Sequence, residues 1–325
     1  MIFRTIGILM GVLTMFAMAG AAQAAGKKCF FVSSYEPAYD HSMAIEKGLR
    51  SVLEGKCEIR QFNMDAKHRT RAADRVEQGL AAKAIIEAWQ PDVVITADDE
   101  AAKYLLQAHY KDHPLPFAFC GVNWSGEAYG LPYSNATGMI EVAPVLAALE
   151  KAKEVVPESR RAVYLGAATF TEEGNLQRFQ RAAAQAGFVL DGRLVQTTDA
   201  WIAAYENSQD HDLVIIGSSE GIKDWDPDRV QDAVLRLTRK LSVTNHPWMM
   251  PWSILGVTKI SEEQGEWAGK VALRLLAGVK PSQIPVVPNK ERDFWINESI
   301  RAAANVPLPR SLMQSAKKVA NLETR

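Results

Sequence analysis

The chain has 325 residues, with 37 Lys and Arg against 38 Asp and Glu, so its formal net charge of −1 implies no basic surface for nucleic acid or an anionic membrane. Apolar residues make up 47% of it, and the length exceeds what one core usually supports, which suits two domains. With three cysteines, at least one lacks a partner within the chain.

Arg4, the apolar run from Ile6 to Met18 and the small-x-small triplet Ala22-Gln23-Ala24 read as a secretory signal over 1–24. The run is shorter than the ~20 apolar residues of a bilayer span, and Gly11 and Gly20 interrupt it. Cys29 follows Gly26-Lys27-Lys28, so no cysteine stands where a lipid anchor would need one. A periplasmic protein that does not span the membrane after cleavage is expected.

In chain order, periodicity predicts a strand at Cys29–Ser34, a helix through Ala44–Leu53, a strand at Glu58–Met64, a long helix at Arg71–Trp89 and a strand at Asp92–Ala97. A helix at Glu100–Tyr110 and a strand at Pro116–Val122 follow. This alternation is that of right-handed βαβ units, so 25–138 reads as one doubly wound lobe. Cys29 and Cys57 stand at the starts of the first two strands, and the sequence leaves a disulfide and two buried thiols as alternatives.

Ser134–Glu141, followed by Pro144, reads as the crossing into a second lobe at 139–252. There the order repeats: helix Val145–Val155, strand Arg161–Gly166, helix Gly174–Ala186, strand Val189–Thr197, helix Ala200–Asn207, strand Asp212–Gly217, helix Pro227–Leu241 and strand Trp248–Pro251. Residues 253–288, with Gly256, a helix at Glu262–Leu276 and Ser282–Val287, are expected to return to the first lobe. Residues 289–325, with Phe294–Asn297 and a short helix, are assigned to the second lobe and the hinge. The fold class is therefore α/β: two doubly wound parallel-sheet lobes joined by a multi-strand hinge.

Four apolar runs, Phe30–Ser34, Val93–Asp99, Ala162–Thr169 and Leu213–Glu220, end in small polar residues, two in each half. Buried parallel strands read this way, and open α/β sheets meet ligands at strand carboxyl ends. The expected ligand-binding residues of the first lobe are Ser33, Ser34, Tyr35, Tyr39, Asp98, Asp99, Asn123 and Trp124. Those of the second are Thr169, Phe170, Thr198, Trp201, Ser218, Ser219, Glu220 and Trp252, with Glu172 and Trp225 nearby. Asp98 and Asp99 have a second reading as helix N-caps, and Trp248, Met249, Met250 and Trp252 one as core. Glu36, Asp40, Asp98, Asp99, Glu172 and Glu220 make the rim acidic, which suits a ligand ammonium; serines and helix N-termini suit a carboxylate.

Six histidines, at 41, 68, 109, 113, 211 and 246, show no zinc-motif spacing, and no phosphate loop or Gly-x-Gly-x-x-Gly occurs, so no metal and no cofactor is expected. Gly217-x-Ser219-x-Gly221 matches a hydrolase elbow, but only His246 follows it. A binding protein without catalysis is the preferred reading, with a hydrolase as the lesser alternative.

The segments Ser33-Ser34-Tyr35-Glu36-Pro37-Ala38-Tyr39, Pro91-Asp92-Val93-Val94-Ile95-Thr96-Ala97-Asp98-Asp99 and Gly256-Val257 followed by Ala268-Gly269-Lys270-Val271-Ala272 resemble the ABC-transporter substrate-binding family of type I periplasmic binding proteins. The resemblance spans essentially the whole chain after the leader, and the branch with tryptophan and tyrosine binders is similar in layout. It implies a small organic ligand and an ABC permease of the inner membrane as partner; with the acidic, aromatic rim, an aromatic or branched-chain amino acid is the first expectation, and purines, amines and short peptides stay open. The Ser-Ser-Tyr opening also resembles sensing domains of membrane kinases, which implies a sensor kinase as the alternative partner.

Overall fold

The computed structural model describes residues 26–319, so the leader expected over 1–24 lies outside the described residues. The first unit runs β1 (Lys28–Ser33), α1 (Asp40–Leu53), β2 (Glu58–Asn63), α2 (Ala72–Trp89), β3 (Val93–Ala97), α3 (Asp98–Ala101, continuing as a π-helical stretch Ala102–Gln107), β4 (Phe117–Asn123) and β5 (Ala136–Glu141). The second runs α4 (Val145–Val155), β6 (Arg161–Ala167), α5 (Phe170–Ala186), β7 (Val189–Val195), α6 (Thr198–Ser208), β8 (Leu213–Ile216), α7 (Pro227–Leu237), β9 (Leu241–Thr244) and β10 (Leu255–Lys259). Then come α8 (Ser261–Leu276), β11 (Val287–Pro288), β12 (Arg292–Ile296), α9 (Glu298–Ala304), α10 (Arg310–Ser315) and β13 (Lys317–Lys318).

These strands form two separate sheets, ordered β11-β5-β4-β3-β1-β2 and β13-β12-β10-β9-β8-β6-β7. All ladders are parallel except that of β10 with β12. Because strand side chains alternate, Phe30, Val32 and Val94 bury on one face of the first sheet with Leu105 and Phe119, whereas Phe31, Val93 and Ile95 bury on the other with Leu49, Ala268 and Leu275. The second sheet has its own core around Tyr164, Ile215, Trp201 and Val257. Cys29 and Cys57, at the starts of adjacent β1 and β2, are disulfide-bonded with Cα atoms 6.0 Å apart. Cys120 is free and buried.

Three expectations change. The helix drawn to Leu241 ends at Leu237, because Leu241 and Val243 pair with Leu213 and Ile215 as β9. Trp248–Pro251 is no strand but part of a 3₁₀ turn, Pro247–Trp252; its two prolines bring no N–H to a ladder, and Pro247 suits a helical first position. Gly256 is the second residue of β10, where a methyl would strike the Met250 sulfur at 2.2 Å. Residues 253–259 thus belong to the second sheet, and the chain recrosses only at Ile260. Likewise β5 keeps the chain in the first sheet through Glu141, beyond the boundary drawn at 138.

After recrossing, α8 lies on the first sheet against α1 with backbones almost touching. A methyl on Gly265 would sit 1.8 Å from the Ile45 carbonyl oxygen, and one on Gly48 2.1 Å from that of Glu262. Gly265→Ala should therefore lower stability by about 1–3 kcal/mol in urea unfolding, even though alanine favours an isolated helix by up to ~1 kcal/mol. An unchanged midpoint would mean that the helices separate freely.

Candidate functional site

Three crossings join the lobes: Glu141 to Val145, Lys259 to Ser261 and Pro288 to Arg292. Each of the first two leaves the carboxyl edge of a sheet, so both edges meet at the hinge. The Lys259 ammonium pairs with the buried Glu141 carboxylate. The Asn289 side-chain oxygen accepts from the Val142 N–H (2.7 Å), while its own N–H donates to the Ile140 carbonyl (3.2 Å). Glu263 accepts from the N–H groups of Lys290 (2.9 Å) and Glu291 (2.8 Å). The crossings are thus tied to one another.

On the first lobe, Asp98 ends the β3 run in left-handed backbone (φ 69°) and is buried. One of its oxygens meets His41 Nε2 at 2.8 Å, and His41 Nδ1 meets the Ser261 hydroxyl at 2.7 Å. Asp98 Oδ2, Glu141 Oε2 and Gln264 Nε2 are buried without a hydrogen-bond partner among the described residues. Burial pushes Asp98 up, against the pull of His41. His41 is held down by burial, but the charge and hydrogen bond of Asp98, helped by Glu141, outweigh that and raise it overall.

Neither Asp98 nor Asp99 caps α3. Asp99 instead accepts from the Asn123 amide (2.5 Å) and the Tyr129 hydroxyl (2.9 Å). Ser34 is spent on structure: its hydroxyl donates to the Ala97 carbonyl (2.6 Å) and accepts from the Ala101 N–H (2.9 Å). The Ser33 hydroxyl donates to the Tyr35 carbonyl at 3.3 Å. Tyr35 and Tyr39 stand edge to face with ring centroids 5.5 Å apart, and Lys67 Nζ lies 4.2 Å from the Tyr39 ring and 5.2 Å from that of Tyr35. Burial, then the charges of Asp98 and Asp99, drive the Tyr35 phenol well above its ordinary value, so it stays a hydroxyl donor.

On the second lobe, Thr169 caps α5 through the Glu172 N–H (3.2 Å), and Phe170 beside it is 91% exposed. The buried Glu172 carboxylate is fully engaged by the Tyr164 hydroxyl (2.6 Å), the Ser218 N–H (2.9 Å) and the Asn175 amide (2.7 Å). The Ser218 hydroxyl accepts from the Glu220 N–H (3.1 Å) and Trp248 Nε1 (3.3 Å), while Ser219 is half-buried and Glu220 exposed. The side chain of His211 meets Asp191 at 2.9 Å, and the His246 N–H donates to the Thr244 hydroxyl (3.1 Å).

Thr198, Trp201 and Trp252 are corrections. The Thr198 hydroxyl donates to the Asp224 carbonyl (2.5 Å) and is wholly buried. Trp201 stacks on Tyr205 at 5.3 Å and meets Trp225 edge-on at 5.4 Å, and Trp225 meets Trp252 at 5.1 Å, an aromatic ladder belonging to the second core. Trp124 (φ 63°) does leave its lobe: it packs on that second core, with the Arg178 guanidinium 4.1 Å from its ring. The sequence reading missed His41, Lys67, Glu141, Lys259, Ser261 and Gln264, which stand off the strand-end pattern or belong to the crossings. Two surface hollows, lined in part by Val156 and Asp212 and by Lys83 and His109, lie at the opposite edges of the sheets.

No protein-family model and no curated protein matches the chain. Solved structures do. An ABC domain from Streptococcus pneumoniae in complex with L-Trp is 18% identical, with a TM-score of 0.61, over 90% of this chain and 100% of that one. A ligand-free, open substrate-binding protein with adhesive properties from Clostridium difficile is 16% identical, with a TM-score of 0.72, over 90% and 99%. A periplasmic ribose ABC transporter structure from Conexibacter woesei is 15% identical, with a TM-score of 0.57, over 88% and 97%. At these identities the likeness establishes the fold, that of type I periplasmic binding proteins. No helix of the described residues is long and apolar enough to cross a membrane.

His246, at the end of β9, is pushed down to about 4 by burial and then by the Lys259 charge. An unfolded histidine titrates near 6.5, so as pH falls from there towards 4 the unfolded chain takes up a proton that the native chain refuses. That lowers stability by at most about 3 kcal/mol. His246→Phe keeps the ring beside Trp248 and removes this loss, so urea midpoints should fall more steeply with acid in the wild type than in the variant. Parallel profiles would refute a neutral buried His246.

Proposed function

We propose that the chain is an exported solute-binding protein of an ABC uptake system, which closes on an amino-acid-like ligand between its lobes. The observation that carries this reading is the set of unsatisfied buried groups at the hinge, Asp98 Oδ2, Glu141 Oε2 and Gln264 Nε2, beside the Tyr35–Tyr39 pair. Buried carboxylate oxygens without donors are costly, and a ligand ammonium supplies both donors and charge. The tyrosine faces offer apolar area for a ring. Closure is then a population shift, since contacts made by both lobes exist only in the shut form. The fold shared with solute-binding proteins and the L-Trp held by the streptococcal structure support this reading, as does the leader over 1–24.

Thermal-shift measurements on residues 25–325 should show a rise with one or more aromatic or branched-chain amino acids; ligand at a hundred times its Kd adds about 2.7 kcal/mol. The analogue lacking the amino group should give none. Tyr35→Ala or Trp124→Ala should abolish the shift, and Asp98→Asn should weaken affinity by roughly 10–100-fold. If deaminated analogues bind as well as their parents, the ammonium site is wrong; if no amino acid shifts the wild type, so is the ligand class.

A further inference from the structure

Beside the Tyr35–Tyr39 pair, the loops after the adjacent strands β1 and β2 bring Glu36, expected on the acidic rim, together with Asp65 and His68, which the binding reading does not use. We propose that Glu36, Asp65 and His68 form a site for a divalent transition-metal ion of the zinc class.

One ligand atom from each residue lies within 4.8 Å of those of the other two. Bonds of ~2.1 Å put ligand atoms roughly 3.4 Å apart, so a small rotation closes the set. His68 Nδ1 and Asp65 Oδ1 already meet at 2.7 Å, and His68 is exposed.

The scaffold under these side chains is fixed. The Met64 N–H donates to the Ser33 carbonyl (2.9 Å) and the Ala66 N–H to that of Ser34 (3.0 Å), which carries the β1–β2 register past the strand ends. The N–H groups of His68 and Arg69 both turn back onto the Asp65 carbonyl, at 3.2 and 2.9 Å. That turn sets the imidazole over its neighbouring carboxylate.

A second observation is the environment of Glu36 itself. Its Oε2 is shut off from solvent and accepts no hydrogen bond among the described residues. Lys67, which precedes His68 in the chain, lies over the Tyr35 and Tyr39 rings, and among the described residues it forms no ion pair with Glu36. A buried, unpartnered carboxylate oxygen calls for a positive charge, and an ion shared with Asp65 and His68 meets that need.

The donor set selects the ion. One imidazole and two carboxylates give three protein ligands and leave a position for water, the pattern of an open zinc site. Calcium would want 6–8 oxygens and magnesium an all-oxygen octahedron, which these residues do not provide. The spacing of histidines gives no hint, because the ligands come from two loops that only the parallel sheet makes neighbours.

The test uses tag-free protein of residues 25–325, stripped with chelator and titrated with ZnCl₂ by calorimetry against a competing chelator, with no organic ligand present. One ion per chain is expected. His68→Ala, Asp65→Asn and Glu36→Gln should each weaken it by more than the ~10-fold that outer partners typically contribute, with unchanged melting temperatures in the metal-free state. His109→Ala, at a distant surface histidine, should bind zinc as the wild type does. No saturable binding overturns the proposal, as does a site indifferent to His68→Ala and Asp65→Asn, or displacement of zinc by equimolar calcium. Because the measurement needs no amino acid, its failure is separate from that of the solute-binding reading.

Discussion

Two chain crossings end in opposite charges, Glu141 and Lys259, and the arrangement of the cleft depends on keeping them paired. Glu141 is almost wholly buried, and a buried carboxylate without a cation is far less stable than one with it. The pair fixes the ends of β5 and β10 against each other, and Asn289 and Glu263 fasten the third crossing to the same point. The chain between the sheets is therefore short at each crossing, Val142–Pro144, Ile260 and Asn289–Glu291, and tied at its ends. A hinge of this kind bends without loosening either sheet.

The same economy of contacts explains which polar strand-end residues are already engaged within the protein. A small hydroxyl at the end of a parallel strand sits beside the unpaired N–H groups of the next helix, and satisfying those groups comes first. Thr169 caps α5 in this way, Ser34 takes an N–H of α3, and Thr198 and Ser218 are spent on backbone groups of neighbouring loops. Groups too large or too far along the loop for that task stay available, as Tyr35, Tyr39 and Lys67 do.

This accounts for what the sequence disclosed and what it concealed. Both lobes were legible because Phe30–Val32, Val93–Ala97, Val163–Leu165 and Leu213–Ile216 are continuous apolar runs with helical periods between them. β9 and β10 were not, since Leu-Ser-Val-Thr is too short to separate from the helix before it and Gly256 resembles a breaker until Met250 is seen against it. Trp201 and Trp252 look like a ligand wall because sequence shows an aromatic near a strand end without showing which way its helix turns. His41 and Asp98 are 57 positions apart, and Glu141 and Lys259 118, so nothing local connects them.

The hinge also sets two imidazoles apart. Against the pull of burial, His41 is driven up by Asp98 and then Glu141, and His246 is driven down by burial and then by Lys259. One carboxylate can hold His41 while Lys259 pairs with the other, so a single cluster of charges lowers one histidine and raises another within the same pair of crossings. Asp98 Oδ2 and Glu141 Oε2 accept no hydrogen bond there among the described residues, and on the binding reading proposed above those oxygens are where a donor of the ligand enters.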